Sequence, residues 1–268
     1  MNTFLQKFGF LLGIITLRYF LIAGIAFAVC YVIWKGIFEP ARIQSRRAVR
    51  TDFRREILNS TVMVVVIAVF VGVVFLTPLR GYTLIYSHTN DYPLWYLPFS
   101  LLVTLIIHDT YFYWMHRALH HPRIYRYVHR VHHLTITPSP FASYSFHLLE
   151  SFSETAIVYV LVFTLPLHIY TLMAFGWVSF LINVYGHLGY EIAPKGFRRS
   201  WAFEWLATSV YHNLHHSHFT GNYGLYFRFW DKAMHTENPD YVATYDALQS
   251  KRFGSAPVVL NTEQTIIA

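Results

Sequence analysis

The run YWMHRALHHPRIYRYVHRVHH, residues 113–133, carries six of the sixteen histidines in this 268-residue chain. His116 and His120 are four apart, and His129, His132 and His133 read HxxHH. Further on, His212, His215 and His216 read HxxHH again. A neutral imidazole is the commonest protein metal ligand, and positions i, i+3 and i+4 share one face of a helix. Each cluster is therefore expected to aim two or three ring nitrogens at one point. Eight such ligands exceed what one ion takes, so the spacing asks for two metals.

Outward from this run the chain turns apolar. Hydrophobic residues make up 54%, charged residues only 13%, and mean hydropathy is +0.34. Soluble domains average about 25% charged, so a membrane protein with a polar lobe is expected. A spanning helix needs about 20 apolar residues. Residues 8–34, interrupted only by Arg18, supply one, and residues 58–79 a second. Between them, residues 35–56 hold Lys35, Arg42, Arg46, Arg47, Arg50, Arg54 and Arg55. Such a basic loop belongs on the cytoplasmic side. A third, short span over 93–107 continues as the amphipathic stretch that enters residues 113–133. Residues 152–185, with Pro166 near the middle, read as a helical hairpin.

Three spans and a hairpin bring both histidine windows, 108–147 and 187–218, to the cytosolic face. The expected fold is all-α: a multi-pass membrane bundle of about four spans with a cytosolic helical cap holding a histidine-rich dimetal site. Three regions follow: N-terminal helices with the basic loop (1–92), a catalytic region (93–246) and a C-terminal tail (247–268). A bacterial cytoplasmic membrane or the endoplasmic reticulum would suit such a chain. The first apolar stretch has no cleavage site of the secretory kind.

The net charge of +7 flanks apolar segments instead of forming one stripe, which argues against nucleic acid. A single cysteine, Cys30, excludes an intrachain disulfide framework and thiolate zinc sites. No Asp/Glu array suits magnesium or calcium, and HExxH is absent. Imidazole itself accepts Zn, Cu, Fe or Ni.

Other residues are candidates for ligation or for orienting a ligand. His187 ends the hairpin at the same face and makes a ninth ligand, with Glu191 one turn beyond. His108 and Asp109 form an ionisable pair at the end of an apolar span, a functional hint. His147 and Glu150 follow the second cluster and suit hydrogen bonding to ligands or a substrate channel. His121 points away from His120, toward the surface. His88, His168 and His235 stand alone and read as structural.

Residues 113–133, followed by TPSPFASYSFH (137–147), His187 and HNLHHSHFTGNYGLYFRFWDK (212–232), resemble the fatty acid hydroxylase/sterol desaturase superfamily. The nearest look is to sterol C5-desaturases, whose FASxxFHP element and NYGxYFxxWD tail are echoed; Leu148 stands where that element has proline. The resemblance covers residues 95–235. It implies a membrane-bound, O2-dependent di-iron oxygenase that hydroxylates or desaturates a lipid: a sterol, a fatty acyl chain or a related apolar molecule. The ligands it implies are His116, His120, His129, His132, His133, His187, His212, His215 and His216. Two Fe ions would be the cofactor, with Zn as a substitute in purified material. With no haem or flavin motif in the chain, electrons would come from a separate donor: cytochrome b5, a ferredoxin or a reductase. Two other classes compete: a membrane zinc-dependent hydrolase, and a non-enzymatic metal transporter or sensor.

Overall fold

Arg18 is the one charge in an otherwise apolar stretch, and the way it is satisfied organises the membrane part. In the computed structural model, which describes residues 2–254, it lies midway along α1 (Asn2–Phe27). Its guanidinium donates to the Gly176 carbonyl at 3.0 Å and to the Tyr144 hydroxyl at 3.1 Å. An intramembrane arginine facing the bundle interior with both terminal nitrogens engaged is one of the few arrangements an apolar surrounding tolerates. A Cβ at position 176 would meet that guanidinium at 2.9 Å, so a larger residue there would displace the end of the arginine.

The remaining long helices are α2 (Arg50–Leu76), α3 (Tyr96–Leu119), α4 (Leu148–Thr164), α5 (Ile169–Gly186), α6 (Ser209–His218) and α7 (Tyr241–Phe253). No strand forms among the described residues, only three isolated bridges. α1 runs on into a π-helical turn, Ala28–Ile33. The two expected N-terminal spans are present as Thr3–Ile33 and Arg50–Leu76, and the hairpin is present as α4 and α5, turning near Pro166. Among the described residues three helices qualify by length and apolar composition to cross a membrane: these two and Ile169–Gly186. α3 and α4 complete the bundle without meeting that standard. α3 ends in the polar residues of the site, and α4 has only 17 residues.

Phe10 and Leu17 on α1 remain 72% and 65% exposed, an apolar outer face suited to lipid. The opposite face packs Ile15, Tyr19, Ile22 and Ala23 on Met63, Val64 and Ala68 of α2 and on Phe180 and Val184 of α5. A second core, Phe203, Val210, Tyr211, Leu214, Tyr241 and Tyr245, gathers the polar lobe around α6 and α7.

The basic segment belongs to that lobe. The Gln44 amide donates to the Ile136 carbonyl at 2.8 Å and to the Asn213 side chain at 2.7 Å, and Arg55 donates to the Leu134 carbonyl at 3.1 Å. Both histidine windows therefore lie at the end of the bundle that carries the arginines. α7 runs through position 247, the expected start of the tail, and residues 255–268 lie outside the described ones.

Candidate metal centre

Four backbone segments deliver the histidines. The C-terminal end of α3 carries His116 and His120, and a short helix, Arg130–His133, with the preceding His129 carries the second cluster. His187 caps α5, and α6 carries the third cluster. All nine histidines expected as ligands converge. They form two groups in which the ligating nitrogens lie within 4.8 Å of one another. His116, His120, His129, His133 and His215 make one group; His132, His187, His212 and His216 make the other.

Each HxxHH cluster aims two rings at one point, within the expected two or three, and sends its remaining ring to the other group. In both copies the outer pair goes to one group and the middle histidine to the other: His129 and His133 against His132, His212 and His216 against His215. At about 100° per residue, positions i and i+4 differ by about 40°, whereas i+3 falls about 60° to the other side of i. Each cluster thus straddles the two groups.

The donor set fits metal ions, and the hydrogen bonds show why. Six of the nine rings point Nδ1 at an oxygen. Nδ1–H donates to backbone carbonyls from His116 (Tyr223, 2.9 Å), His132 (Ser145, 3.3 Å), His187 (Asn183, 2.9 Å), His215 (Gly221, 2.7 Å) and His216 (Thr135, 2.8 Å). His129 donates to Glu150 Oε1 at 2.6 Å. A carbonyl only accepts, so each of these rings is left with a lone pair on Nε2. Yet Nε2 of His116 lies 3.1 Å from Nε2 of His129, and Nε2 of His187 lies 3.2 Å from that of His216. Two facing lone pairs cannot hydrogen-bond. A cation between them resolves the contact, because ligands about 2.1 Å from one ion lie roughly 3.0–3.4 Å apart.

The protonation states agree. Burial is the main cause, and neighbouring imidazoles add to it: all nine pKa values fall below the ordinary histidine value. His116 is lowered to about 3, and His187 and His215 to about 4. Below about pH 6.5, the unfolded value, the unfolded chain therefore binds more protons than the folded one, and stability drops as pH falls. The metal-free protein should melt progressively earlier from pH 7 to pH 5. A melting temperature flat across that window would contradict nine neutral imidazoles, eight of them buried and His120 partly so.

Among the further candidates, Glu150 touches a histidine of the groups. Its bond to His129 fixes that ring's tautomer and tilt, and its second oxygen has no protein partner. Removing such a support costs about 10–100-fold in metal affinity or activity. Glu150→Ala should show that loss in metal titration, and an unchanged affinity would remove Glu150 from the site. Glu191 accepts from Tyr185 Oη at 2.6 Å and from the backbone N–H of Ala193 and Val210, so it braces the start of α6. Asp109 accepts the N–H groups of Leu225, Tyr226 and Phe227. His108 bonds the Tyr226 hydroxyl at 2.8 Å, and His147 caps α4 through the N–H of Leu149. None of His108, Asp109, His147 and Glu191 joins either group.

Important supports escaped sequence reasoning. The carbonyls of Tyr223 and Gly221 hold His116 and His215, and a backbone acceptor leaves no side-chain signal. The loop that carries them is bound by Asn222, whose side chain donates to the Tyr211 carbonyl and accepts from the Asn238 N–H, and by Asp231. The NYG and WD elements thus act together to place two carbonyls behind two histidines.

A cavity of about 410 Å³ lies inside the bundle, lined by residues of α1, α2, α4 and α5, with His108 of α3 and Leu225. Phe146 lines it and sets its ring 4.8 Å from that of His132. Asn183 lines it too, and its carbonyl holds His187. An apolar chamber for one lipid-sized molecule therefore ends at the histidines.

Comparison with known proteins agrees with this architecture. The "Delta(7)-sterol 5(6)-desaturase ERG3A" of Gibberella zeae is 31% identical over 217 residues, covering 81% of this chain and 58% of its own length. Its ERG3B counterpart is 29% identical over 216 residues, covering 79% of this chain and 65% of its own. Human "Lathosterol oxidase" is 29% identical over 199 residues, covering 73% and 64%. The chain thus spans 58–65% of the length of these relatives. No solved structure matches it significantly. The fatty acid hydroxylase family model matches residues 101–236, half of the chain and every histidine of both groups, and the chain belongs to that family.

Proposed function

We propose that this protein is a membrane-bound oxidoreductase that hydroxylates or desaturates a lipid, using O2, a two-iron centre and electrons from a separate donor. The observation that carries the reading is the pair of interlocked imidazole groups at the mouth of an apolar cavity. The five histidines of the larger group exceed the tetrahedral set that zinc prefers, which favours iron over the hydrolase alternative. The ligand-bearing residues gather beyond one end of the helices instead of lining a path across them, which disfavours a transporter. The sterol-oxidising names of the relatives support a lipid substrate.

Bound at these histidines, two irons supply the redox chemistry that activates O2 for attack on an unactivated C–H bond. The protein's part is placement. Five Nδ1–H bonds to backbone oxygen and the His129–Glu150 bond hold six Nε2 lone pairs inward. The apolar cavity would exclude water from the reacting carbon, and Phe146, which lines it, packs its ring against that of His132. The arginine-rich segment beside the site favours a cytosolic catalytic face, where a cytochrome b5, ferredoxin or reductase would deliver electrons. The test is twofold: two irons per purified chain, and a lipid gaining about 16 or losing about 2 mass units when the gene is present. Fewer than two bound transition metals, or turnover that persists without O2 and reductant, would overturn the reading.

A further inference from the structure

A second cavity, of about 170 Å³, shares no lining residue with the bundle chamber. Two of the helices that qualify to cross a membrane frame it. Phe27 and Tyr31 come from the end of Thr3–Ile33, and Phe53 from the start of Arg50–Leu76. The segment between them adds Lys35, Arg42, Arg46 and Arg47, and among the described residues no Asp or Glu lines the wall. The cavity therefore sits where two spans leave the apolar layer, at the depth of lipid headgroups. Beside it, Ile33 and Trp34 are 65% and 53% exposed, an apolar rim with the tryptophan that membrane boundaries favour.

One wall residue is a buried donor without an acceptor. Asn213 of α6 lines the cavity and is 1% exposed. Its Oδ1 accepts from Gln44 Nε2 at 2.7 Å. Gln44 cannot be turned round, because Nε2 also donates to the Ile136 carbonyl at 2.8 Å and Oε1 accepts from the Thr137 hydroxyl at 3.3 Å. Asn213 is therefore fixed with its own Nδ2 buried and without a protein partner. A donor kept from water without an acceptor costs free energy. The charges around it are only partly answered. Arg42 spends its guanidinium on Glu39 and on the carbonyls of Gln44 and Ser45, and Arg47 shares Glu39. Lys35 and Arg46 are exposed and enter no ion pair among the described residues. The bias of basic residues toward the cytoplasmic side explains cations on this face. It does not explain a cavity among them with an unsatisfied amide in its wall.

We propose that this cavity binds the phosphate-bearing headgroup of an anionic membrane lipid. The phosphate oxygens, acceptors only, take the Asn213 Nδ2 donor and face Lys35, Arg46 and Arg47, and the acyl chains return to the bilayer past Ile33 and Trp34. Charge-assisted bonds of this kind are the strong ones, and basic pockets at the cytoplasmic ends of spans suit such headgroups. Position favours a lipid over a soluble anion, since the framing spans end at the cavity. This lipid is a ligand of the scaffold and is not oxidised, so the inference stands apart from the lipid-oxidising reading. Because Asn213 lies between His212 and His215 on α6, the headgroup would tie the basic segment to the helix that carries the third histidine cluster.

The test is binding of dioleoyl phosphatidylglycerol against dioleoyl phosphatidylcholine to the full-length protein in uncharged detergent. The two share their acyl chains, so entry into the bundle chamber cancels in the comparison. Phosphatidylglycerol should bind about tenfold tighter, the worth of one hydrogen bond to a charged group. Asn213→Asp keeps the acceptor for Gln44 and puts a negative charge where the donor was; Lys35→Ala with Arg46→Ala removes the two unpaired cations. Each change should bring the two lipids within about twofold. Lys195→Ala with Arg199→Ala removes the same charge from exposed positions that do not line the cavity and should keep the preference. Equal affinity for the two lipids in the unaltered protein would overturn the proposal without relying on any variant. So would an equal loss of preference in the Lys195/Arg199 and Lys35/Arg46 variants. Binding of inorganic phosphate or of a polyglutamate peptide as tight as that of phosphatidylglycerol would also overturn it, assigning the cavity to a soluble anion or to an acidic protein face. No turnover enters these measurements, so iron content and product formation decide the proposed function separately.

Discussion

His132→Ala should abolish lipid oxidation and strip metal from the four-histidine group while the five-histidine group keeps its own ion. His215→Ala should abolish activity as well, but with a milder effect on metal content. The difference follows from the interleaved partition: His132 is one of four donors in its group, and His215 is one of five in the other. Losing one of four leaves three imidazoles; losing one of five leaves a full tetrahedral set. Metal analysis should therefore give about one metal per chain for His132→Ala and between one and two for His215→Ala, each with product formation below detection. His168→Ala is the control. His168 is buried at the opposite end of the bundle, where it donates to the Ser87 carbonyl and caps α5 through the Tyr170 N–H. Its loss should cost stability on the order of a lost cap, about 1 kcal/mol, and leave both metals in place. Equal metal loss for all three variants would show that the two groups are not separate sites.

The same partition marks the limit of what spacing reveals. Eight of the nine histidines were legible because HxxxH and HxxHH put several rings on one side of a helix, and His187 because it ends the hairpin at the same face. Their division was not, because i+3 and i+4 look equivalent until the direction of the second metal is known. The hairpin was legible from an apolar run too long for one span and broken by Pro166. Arg18 looked like an interruption of a span. Its purpose depends on Gly176 and Tyr144, 158 and 126 residues away in sequence, and no local pattern encodes that pairing. Glu191 and Asp109, carboxylates near histidines, were candidates for ligating a metal or for orienting a ligand. Each instead accepts backbone N–H groups where a loop or helix start would otherwise leave them bare. Carboxylate position alone does not separate ligation from backbone support; only the partner does.

Asp231→Ala should be among the most destabilising single changes in the polar lobe. The Asp231 carboxylate is fully buried and accepts from the Tyr223 N–H at 3.0 Å, the Gly224 N–H at 2.7 Å, the Thr236 hydroxyl at 2.7 Å and the Tyr211 hydroxyl. Removing it leaves two backbone donors and the Tyr211 hydroxyl buried without that acceptor, and each unsatisfied group costs about 1–3 kcal/mol; the Thr236 hydroxyl keeps Tyr113. The loop has little room to compensate. A side chain at Gly224 would meet the Phe227 carbonyl at 2.3 Å, and Gly221 and Asn222 both hold positive φ. The damage should also reach the metals, since the carbonyls of Gly221 and Tyr223 stand behind His215 and His116, both of the five-histidine group. Asp231→Ala should therefore lower the melting temperature sharply and loosen metal at the five-histidine group before the other. Lys232→Ala, next along the chain, breaks only a partly exposed ion pair with Glu204 at 2.7 Å and should cost less than about 1 kcal/mol. If the two variants melted together, or if Asp231→Ala kept full metal occupancy, the loop would not be the support that holds those two imidazoles in place.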